Sequence, residues 1–316
     1  MLRLAANLTC LLGLILLGSV QAIAAARMQI AYTADWDGDW QIYIVDASGG
    51  EPRRLITDGH RNGRPVFSPD GRYVYFDSDR DAPRDAWAEA EIYRLEVRSG
   101  AVRRLTFDGG RCVGPQMNRD GRRLLYWRHG GVAFWTVHML DLKTGRSAQL
   151  AEGVKPSWHA DGARVLFVPS PRSRRLHILD PRTNSVDLIT ASRFAAGTAS
   201  SDPAGDRIVL DATRNGGSAT HVVDMAAGSA EPLIPWDEAR SATPDWSPNG
   251  DRIAVAIQAA GSVDLFTTDV RGRARVRVTT HPTREMWPSW HDPARAVGES
   301  ALGPAVWGWL RTVGRQ

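Results

Sequence analysis

The chain has 316 residues, 43% of them hydrophobic, and 39 Lys plus Arg against 35 Asp plus Glu give it a net charge of +4. That length admits two average domains or one large all-β unit. The small charge, interleaved along the chain, speaks against a nucleic-acid stripe, and two cysteines are too few for a disulfide scaffold.

Residues 1–26, "MLRLAANLTCLLGLILLGSVQAIAAA", carry Arg3, an apolar run from Leu11 to Leu17, and small residues ending in Ala24-Ala25-Ala26. This is the order of a secretory signal peptide. Cleavage after Ala26 leaves 38 cations against 35 acids, about +3, and Ala22 and Ala24 are alternative cleavage points. An uncleaved anchor requires Asn7 and Thr9 to lie in a span; a lipoprotein is disfavoured because Cys10 precedes most of the apolar run. No later segment is apolar for long enough to span a bilayer, so the expectation is a periplasmic or secreted, soluble, monomeric protein without a membrane span after cleavage. Beyond the signal the sole cysteine is Cys112, either a small buried residue or a lone thiol.

"MQIAYTA", "WQIYIVDASG" and "EPRRLIT" follow, three alternating runs with Gly and Asp between them. A repeated unit then begins: "FSPDGRYVYFD" from Phe67, "WHADGARVLFV" from Trp158 and "WSPNGDRIAVA" from Trp246 share one pattern. Six anchors align, Pro65 to Gly71, Pro115 to Gly121, Pro156 to Gly162, Ala199 to Gly205, Pro244 to Gly250 and Pro288 to Ala294, at spacings of 50, 41, 43, 45 and 44 residues. A period of this size marks propeller blades. Within each unit, runs such as "RYVYFDS" and "EIYRLEV" alternate and are rich in Val, Ile, Tyr and Phe, as half-buried antiparallel strands are. In Ser68-Pro69-Asp70-Gly71 the residue order is that of a type I turn closing a hairpin, and the aromatic before it is placed to pack one blade on the next.

The three opening runs lack a first strand, and the last anchor, "PSWHDPA", is a first strand without successors. Joined, they predict an all-β, six-bladed propeller over residues 27–294, closed by pairing the C-terminal strand with the N-terminal blade, and followed by a tail over 295–316. In that tail Trp307 and Trp309 stand among arginines, suited to covering the propeller, lying at an interface or touching a partner.

"FSPDGRYVYFDSDRD", "EIYRLEVRSGAVRRLTFDGG" and "WSPNGDRIAVA" resemble the PD40 repeats of TolB-type six-bladed propellers, which are related to the propellers of prolyl oligopeptidase-like peptidases. The resemblance covers roughly Met28 to Ala294 and implies fold more firmly than function. TolB carries an α/β domain before its propeller, for which the strand "MQIAYTA" leaves no room. That puts a Tol–Pal role in question, although the family's propeller is the part that binds the peptidoglycan-associated lipoprotein.

No G-x-S-x-G elbow is present; "GESALG" has the wrong spacing. His159 and His291 fall at one repeated position before the turn and read as structural variants rather than metal ligands. "DWDGDW" from Asp35 lacks a calcium-loop pattern. Neither a catalytic residue, a metal nor a cofactor is therefore assigned. The longer loops gather His60, Arg61, Arg64, Arg111, Lys155, Arg193, Arg240, Arg284 and Trp287 on one propeller face, with Trp36 and Trp40 beside them. Such a rim suits a protein partner or an anionic glycan, whereas solvated residues paired with Asp58, Asp108, Glu238 and Glu285 are the plainer account. The expected function is a non-catalytic envelope module that binds or scaffolds; the alternative is a small propeller lyase or hydrolase acting on an anionic polysaccharide or peptide in the channel.

Overall fold

Short alternating segments separated by Gly and Asx turns cannot form helices, and they fold here into antiparallel strands. The computed structural model describes residues 27–294 apart from positions 37, 83–88, 108, 131–133, 170–173, 190–194, 215–216, 236–239 and 260. The signal segment and the tail with Trp307 and Trp309 lie outside the described residues. In chain order the strands are β1 (Gln29–Ala34), β2 (Gln41–Asp46), β3 (Arg53–Arg54), β4 (Asn62–Phe67), β5 (Tyr73–Ser78), β6 (Glu91–Glu96), β7 (Val102–Arg104), β8 (Arg111–Met117), β9 (Arg123–His129), β10 (Thr136–Asp141), β11 (Ser147–Trp158), β12 (Val165–Pro169), β13 (His177–Asp180), β14 (Ser185–Leu188), β15 (Ala195–Ser201), β16 (Arg207–Arg214), β17 (Gly217–Asp224), β18 (Ser229–Ile234), β19 (Ser241–Trp246), β20 (Arg252–Ala259), β21 (Ser262–Asp269), β22 (Val276–Arg277) and β23 (Glu285–His291).

They form an all-β, propeller-like fold. Four sheets have four strands, in the orders β23-β1-β2-β3, β4-β5-β6-β7, β15-β16-β17-β18 and β19-β20-β21-β22. The fifth has seven, because β11 is long enough to serve twice: Ser147–Glu152 pairs with β10 and Gly153–Trp158 with β12. The last strand joins the first, with Gln29 opposite His291 and Ala34 opposite Glu285. Inner strands touch in the succession β4 to β8, β8 to β11, β11 to β15, β15 to β19, β19 to β23 and β23 back to β4.

The core lies between sheets rather than within one. Ile42 and Ile44 meet Phe67, Phe76 and Tyr93 of the following sheet, while Ile30, Tyr32 and Val45 meet Ala254, Ala256 and Leu265 of the preceding one. Each such buried aliphatic or aromatic side chain contributes about 1.5–3 kcal/mol. Outer strands are pinned by a recurring arginine: the Nε of Arg54, Arg104 and Arg277 donates to the carbonyl two residues on, at Ile56 (2.6 Å), Thr106 (2.7 Å) and Thr279 (3.0 Å).

The turn of each repeat also joins neighbouring sheets. Gly71 N donates to Ser68 O (2.9 Å), and Gly71 has φ 66°, the left-handed value that closes the turn. In three repeats the residue that opens the turn reaches the next turn along: Asn118 Nδ2 donates to Gly162 O (2.9 Å), His159 Nε2 lies 3.2 Å from Gly205 O, and the His291 ring lies against Gly71 and Phe67. The two histidines are therefore inter-sheet contacts.

A Cβ on Gly71 would fall 2.1 Å from Nε2 of the buried His291, whereas Gly100, also left-handed at φ 72°, has open space. Gly100→Ala is expected to cost about 1 kcal/mol from its backbone alone. Gly71→Ala should cost a further 1–3 kcal/mol or about that from overpacking. Thermal unfolding of both variants checks this; equal losses would mean that His291 does not press on the turn.

Candidate functional site

The residue before a proline is normally extended. Here each inner strand breaks register close to its anchor, between Gly63 and Val66, Val113 and Gln116, Val154 and Ser157, Ala196 and Ala199, Ala242 and Asp245, and Met286 and Ser289. In five of these bulges the residue before proline is left-handed: Arg64 (φ 48°), Gly114 (64°), Lys155 (54°), Thr243 (50°) and Trp287 (55°). Four are not glycine, and each costs about 1–3 kcal/mol unless its surroundings over-determine it. The bulges bring Arg64, Lys155, Thr198, Thr243 and Trp287 onto the wall of one central cavity of about 370 Å³.

Arg64 is the most constrained of these. Its Nη1 lies 3.3 and 3.2 Å from the two oxygens of the fully buried Asp77, and its guanidinium sits 4.6 Å from the Trp287 ring and 5.8 Å from that of Trp127. Trp127 occupies the space that Gly114 leaves, since a Cβ there would fall 1.8 Å from its ring. Asp77 also accepts the Gly114 N–H at 2.8 Å, so one carboxylate orients the cation and joins two sheets. Behind this group, burial and then the Arg64 charge hold the Arg111 guanidinium below its ordinary pKa, partly offset by Asp77. Lys155 faces Asp211, whose carboxyl is raised by burial against the opposing pull of the Lys155 charge and a 2.7 Å bond from Thr198 Oγ1.

Farther along the channel the equivalent positions are Val66, Gln116, Ser157, Ser200, Asp245 and Ser289. Asp245 is the one acid in this ring. It accepts Ser200 Oγ at 2.8 Å and the Trp290 N–H at 3.4 Å, and burial pushes it up to about 6. At the opposite mouth stand Asn118, Arg119, His159, His291 and Asp292.

The rim expected from sequence divides into separate environments. Arg64, Lys155 and Trp287 line the channel, and a second cleft of about 190 Å³ beside its mouth is formed by Trp40, Arg61, Gly63, Arg64 and Trp287. There Trp40 and Trp287 are 5.5 Å apart, Arg284 lies 5.1 Å from Trp40 and bonds Asp35, and Arg61 bonds Asp39 at 3.1 Å. Trp36 instead packs on Tyr43 (4.0 Å) and His281 (4.4 Å) and donates to Glu285 at 3.3 Å. His60 and Arg240 are exposed at the surface and engage other residues through their carbonyls. Arg193 lies outside the described residues. Sequence reading missed Asp77, Trp127, Asp211 and Asp245, which come from second strands or from the channel wall; the only signal for Trp127 was a glycine where other repeats carry a side chain. Among the described residues no three His, Cys, Asp or Glu side chains are grouped to hold a metal, and no helix is long and apolar enough to cross a membrane.

Residues 25–176 match the PD40 family model, the TolB beta propeller domain. The fold is similar to TolB from Acinetobacter baumannii, with TM-score 0.71 and 18% identity over 87% of this chain and 69% of that one. It is also similar to a chain of a nidogen/laminin complex, with TM-score 0.65 and 9% identity over 84% and 99%. An oligogalacturonate lyase in complex with manganese aligns with TM-score 0.53 and 14% identity over 80% and 74%. At these identities the likeness is one of fold.

Between about pH 4 and 6 the folded protein holds a proton on Asp245 that the unfolded chain has released. This group's contribution to stability therefore falls as pH rises through that interval and is level above it. Asp245→Asn removes the titration, so the stability of the variant relative to the parent should rise by on the order of 2 kcal/mol from pH 4 to pH 7. Urea midpoints measured across that range check it; a constant difference would show that Asp245 titrates normally.

Proposed function

We propose that this TolB-like β-propeller, built from PD40 repeats, is a six-bladed, ring-closed module that binds a partner through its loop-rich channel mouth without catalysing a reaction. Division of the seven-stranded sheet at β11 supports the count of six blades, and the β23–β1 pairing with the cyclic contacts of inner strands supports closure. The signal-like segment over residues 1–26 and the TolB likeness support a periplasmic location at the cell envelope. The partner is a protein or an anionic glycan, and the module works as a monomer.

One observation carries the binding reading: four non-glycine residues are held in left-handed backbone at equivalent positions of one mouth, and three of them are Arg64, Lys155 and Trp287. Strain of this kind persists where a side chain must be aimed. Asp245 favours a second reading, because a channel carboxylate with a pKa near 6 has the character of a general acid or base. The lyase or hydrolase alternative rests on that residue.

The two readings separate in one experiment. The mature chain and a variant carrying Arg64→Ser, Lys155→Ser and Trp287→Ala are used to capture ligands from an envelope extract, and every captured molecule is then incubated with each protein. A partner held intact by the parent and at least tenfold less by the variant supports the binding module. Conversion of the captured molecule by the parent but not by Asp245→Asn would overturn it in favour of the enzyme.

A further inference from the structure

We propose that Arg64, with the cleft that Trp40 and Trp287 line, forms a subsite for one uronic-acid residue of an acidic saccharide, the guanidinium taking the carboxylate and the indole wall one face of the sugar ring. This rests on the binding reading above and gives it a ligand class.

The guanidinium is held along one side only. Both Asp77 oxygens engage Nη1, while Nε and Nη2 have no hydrogen-bond partner among the described residues. Those two atoms form the edge that receives a carboxylate in a bidentate pair, a geometry a lysine cannot reproduce. The edge is preorganised: the left-handed backbone at Arg64, the Thr33 Oγ1 bond to its N–H at 3.0 Å, and the two indoles flanking it fix its direction. Asp77 stands against Arg64 and Asp211 against Lys155, and Arg111 adds a third cation behind Arg64, so this side of the mouth keeps an excess of positive charge.

The space beside that edge has the shape and chemistry for a sugar ring. Gly63, without a side chain, opens a cleft of about 190 Å³ alongside Trp40 and Trp287, whose tilted rings, 5.5 Å apart, touch each other and make one shared apolar wall. Arg64 and Trp287 belong to both this cleft and the larger channel, so a second residue of the same ligand passes directly into the channel. Beyond the cleft, the channel wall offers Gln116, Thr243 and Ser289; each of the two hydroxyls accepts a backbone N–H and keeps its own O–H to donate to a saccharide. An acidic peptide of glutamates would use the guanidinium but has no ring face to lay against the indoles.

The test is calorimetric titration of the mature protein with trigalacturonate, with neutral galactotriose, and with a hexapeptide of glutamate. Each is repeated with Arg64→Lys, with Trp287→Ala, and with Arg182→Lys as a distant control, the fold of every variant being checked by its melting temperature. The expected result is binding of trigalacturonate, at least about tenfold weaker binding of the neutral sugar, and a loss of about tenfold or more in Arg64→Lys and Trp287→Ala but not in Arg182→Lys. Trigalacturonate bound equally by Arg64→Lys and the parent overturns the subsite. Binding of the peptide alone overturns the ligand class while leaving the binding module intact. Cleavage of trigalacturonate with the same dependence on Arg64 supports the subsite but overturns the non-catalytic reading, and no binding of any probe overturns the subsite proposal alone.

Discussion

An inner strand pairs with its own sheet along one edge only, and the other edge faces the channel with backbone N–H groups that must find acceptors. This chain meets that requirement within three consecutive steps. At the bulge, the N–H turns to a side chain of the preceding sheet: Arg64 to Thr33, Gly114 to Asp77, Trp287 to Thr243. The next residue is proline in five of the six repeats and has no N–H to satisfy. Two residues beyond it, the N–H again turns to the neighbouring inner strand: Phe67 to Ser289 Oγ, Trp246 to Ser200 Oγ, Trp290 to Asp245 Oδ2, each at 3.4 Å. Two indoles repeat the link, Trp158 to Gln116 O and Trp290 to Asp245 O, each at 3.1 Å. Sheet-to-sheet cohesion near the axis is thus polar and directional, while the outer part of each interface is apolar.

The same device makes a site available. A bulge moves the residue before proline out of the pleat and onto the mouth of the channel, and the register shift and the neighbour's acceptor hold it there. Six equivalent positions can therefore hold Arg64, Gly114, Lys155, Thr198, Thr243 and Trp287 without changing the fold. The architecture is repeated and the chemistry is not, which is why a family likeness identifies the first and leaves the second to individual residues.

The repeat spacing, the alternating runs and the completion of the opening strands by the last one were legible in sequence because they are local or periodic. The N-terminal and C-terminal strand pairing follows from counting strands per unit. The bulges were not legible, since a residue preceding proline is expected to be extended and only tertiary hydrogen bonds hold Arg64 or Trp287 otherwise. Nor could a linear reading separate Arg64 and Lys155, which line the channel, from Arg61 and Arg284, which are tied to Asp39 and Asp35 at its margin. All four precede a repeat anchor in similar stretches of sequence, but Arg64 and Lys155 fall at the bulge of an inner strand whereas Arg61 and Arg284 lie ahead of it. Trp127 and Asp77 were hidden because each comes from a second strand and acts on a neighbouring or opposite position.

Pairing also changes what the cations do. An exposed arginine beside an aspartate contributes little to stability and little direction to a ligand. Arg64 differs because its aspartate is buried and spends its other bond on the Gly114 amide, so the ion pair is fixed to two sheets at once. Asp211, buried and bonded by Thr198 Oγ1, stands within electrostatic reach of Lys155. The mouth consequently has a cationic half, from Arg64, with Arg111 behind it, to Lys155, and a half of neutral hydroxyls and an indole, from Thr198 through Thr243 to Trp287. A chain-like ligand entering such a mouth meets opposite walls of different character, and that asymmetry, rather than total charge, sets the orientation in which it can be held.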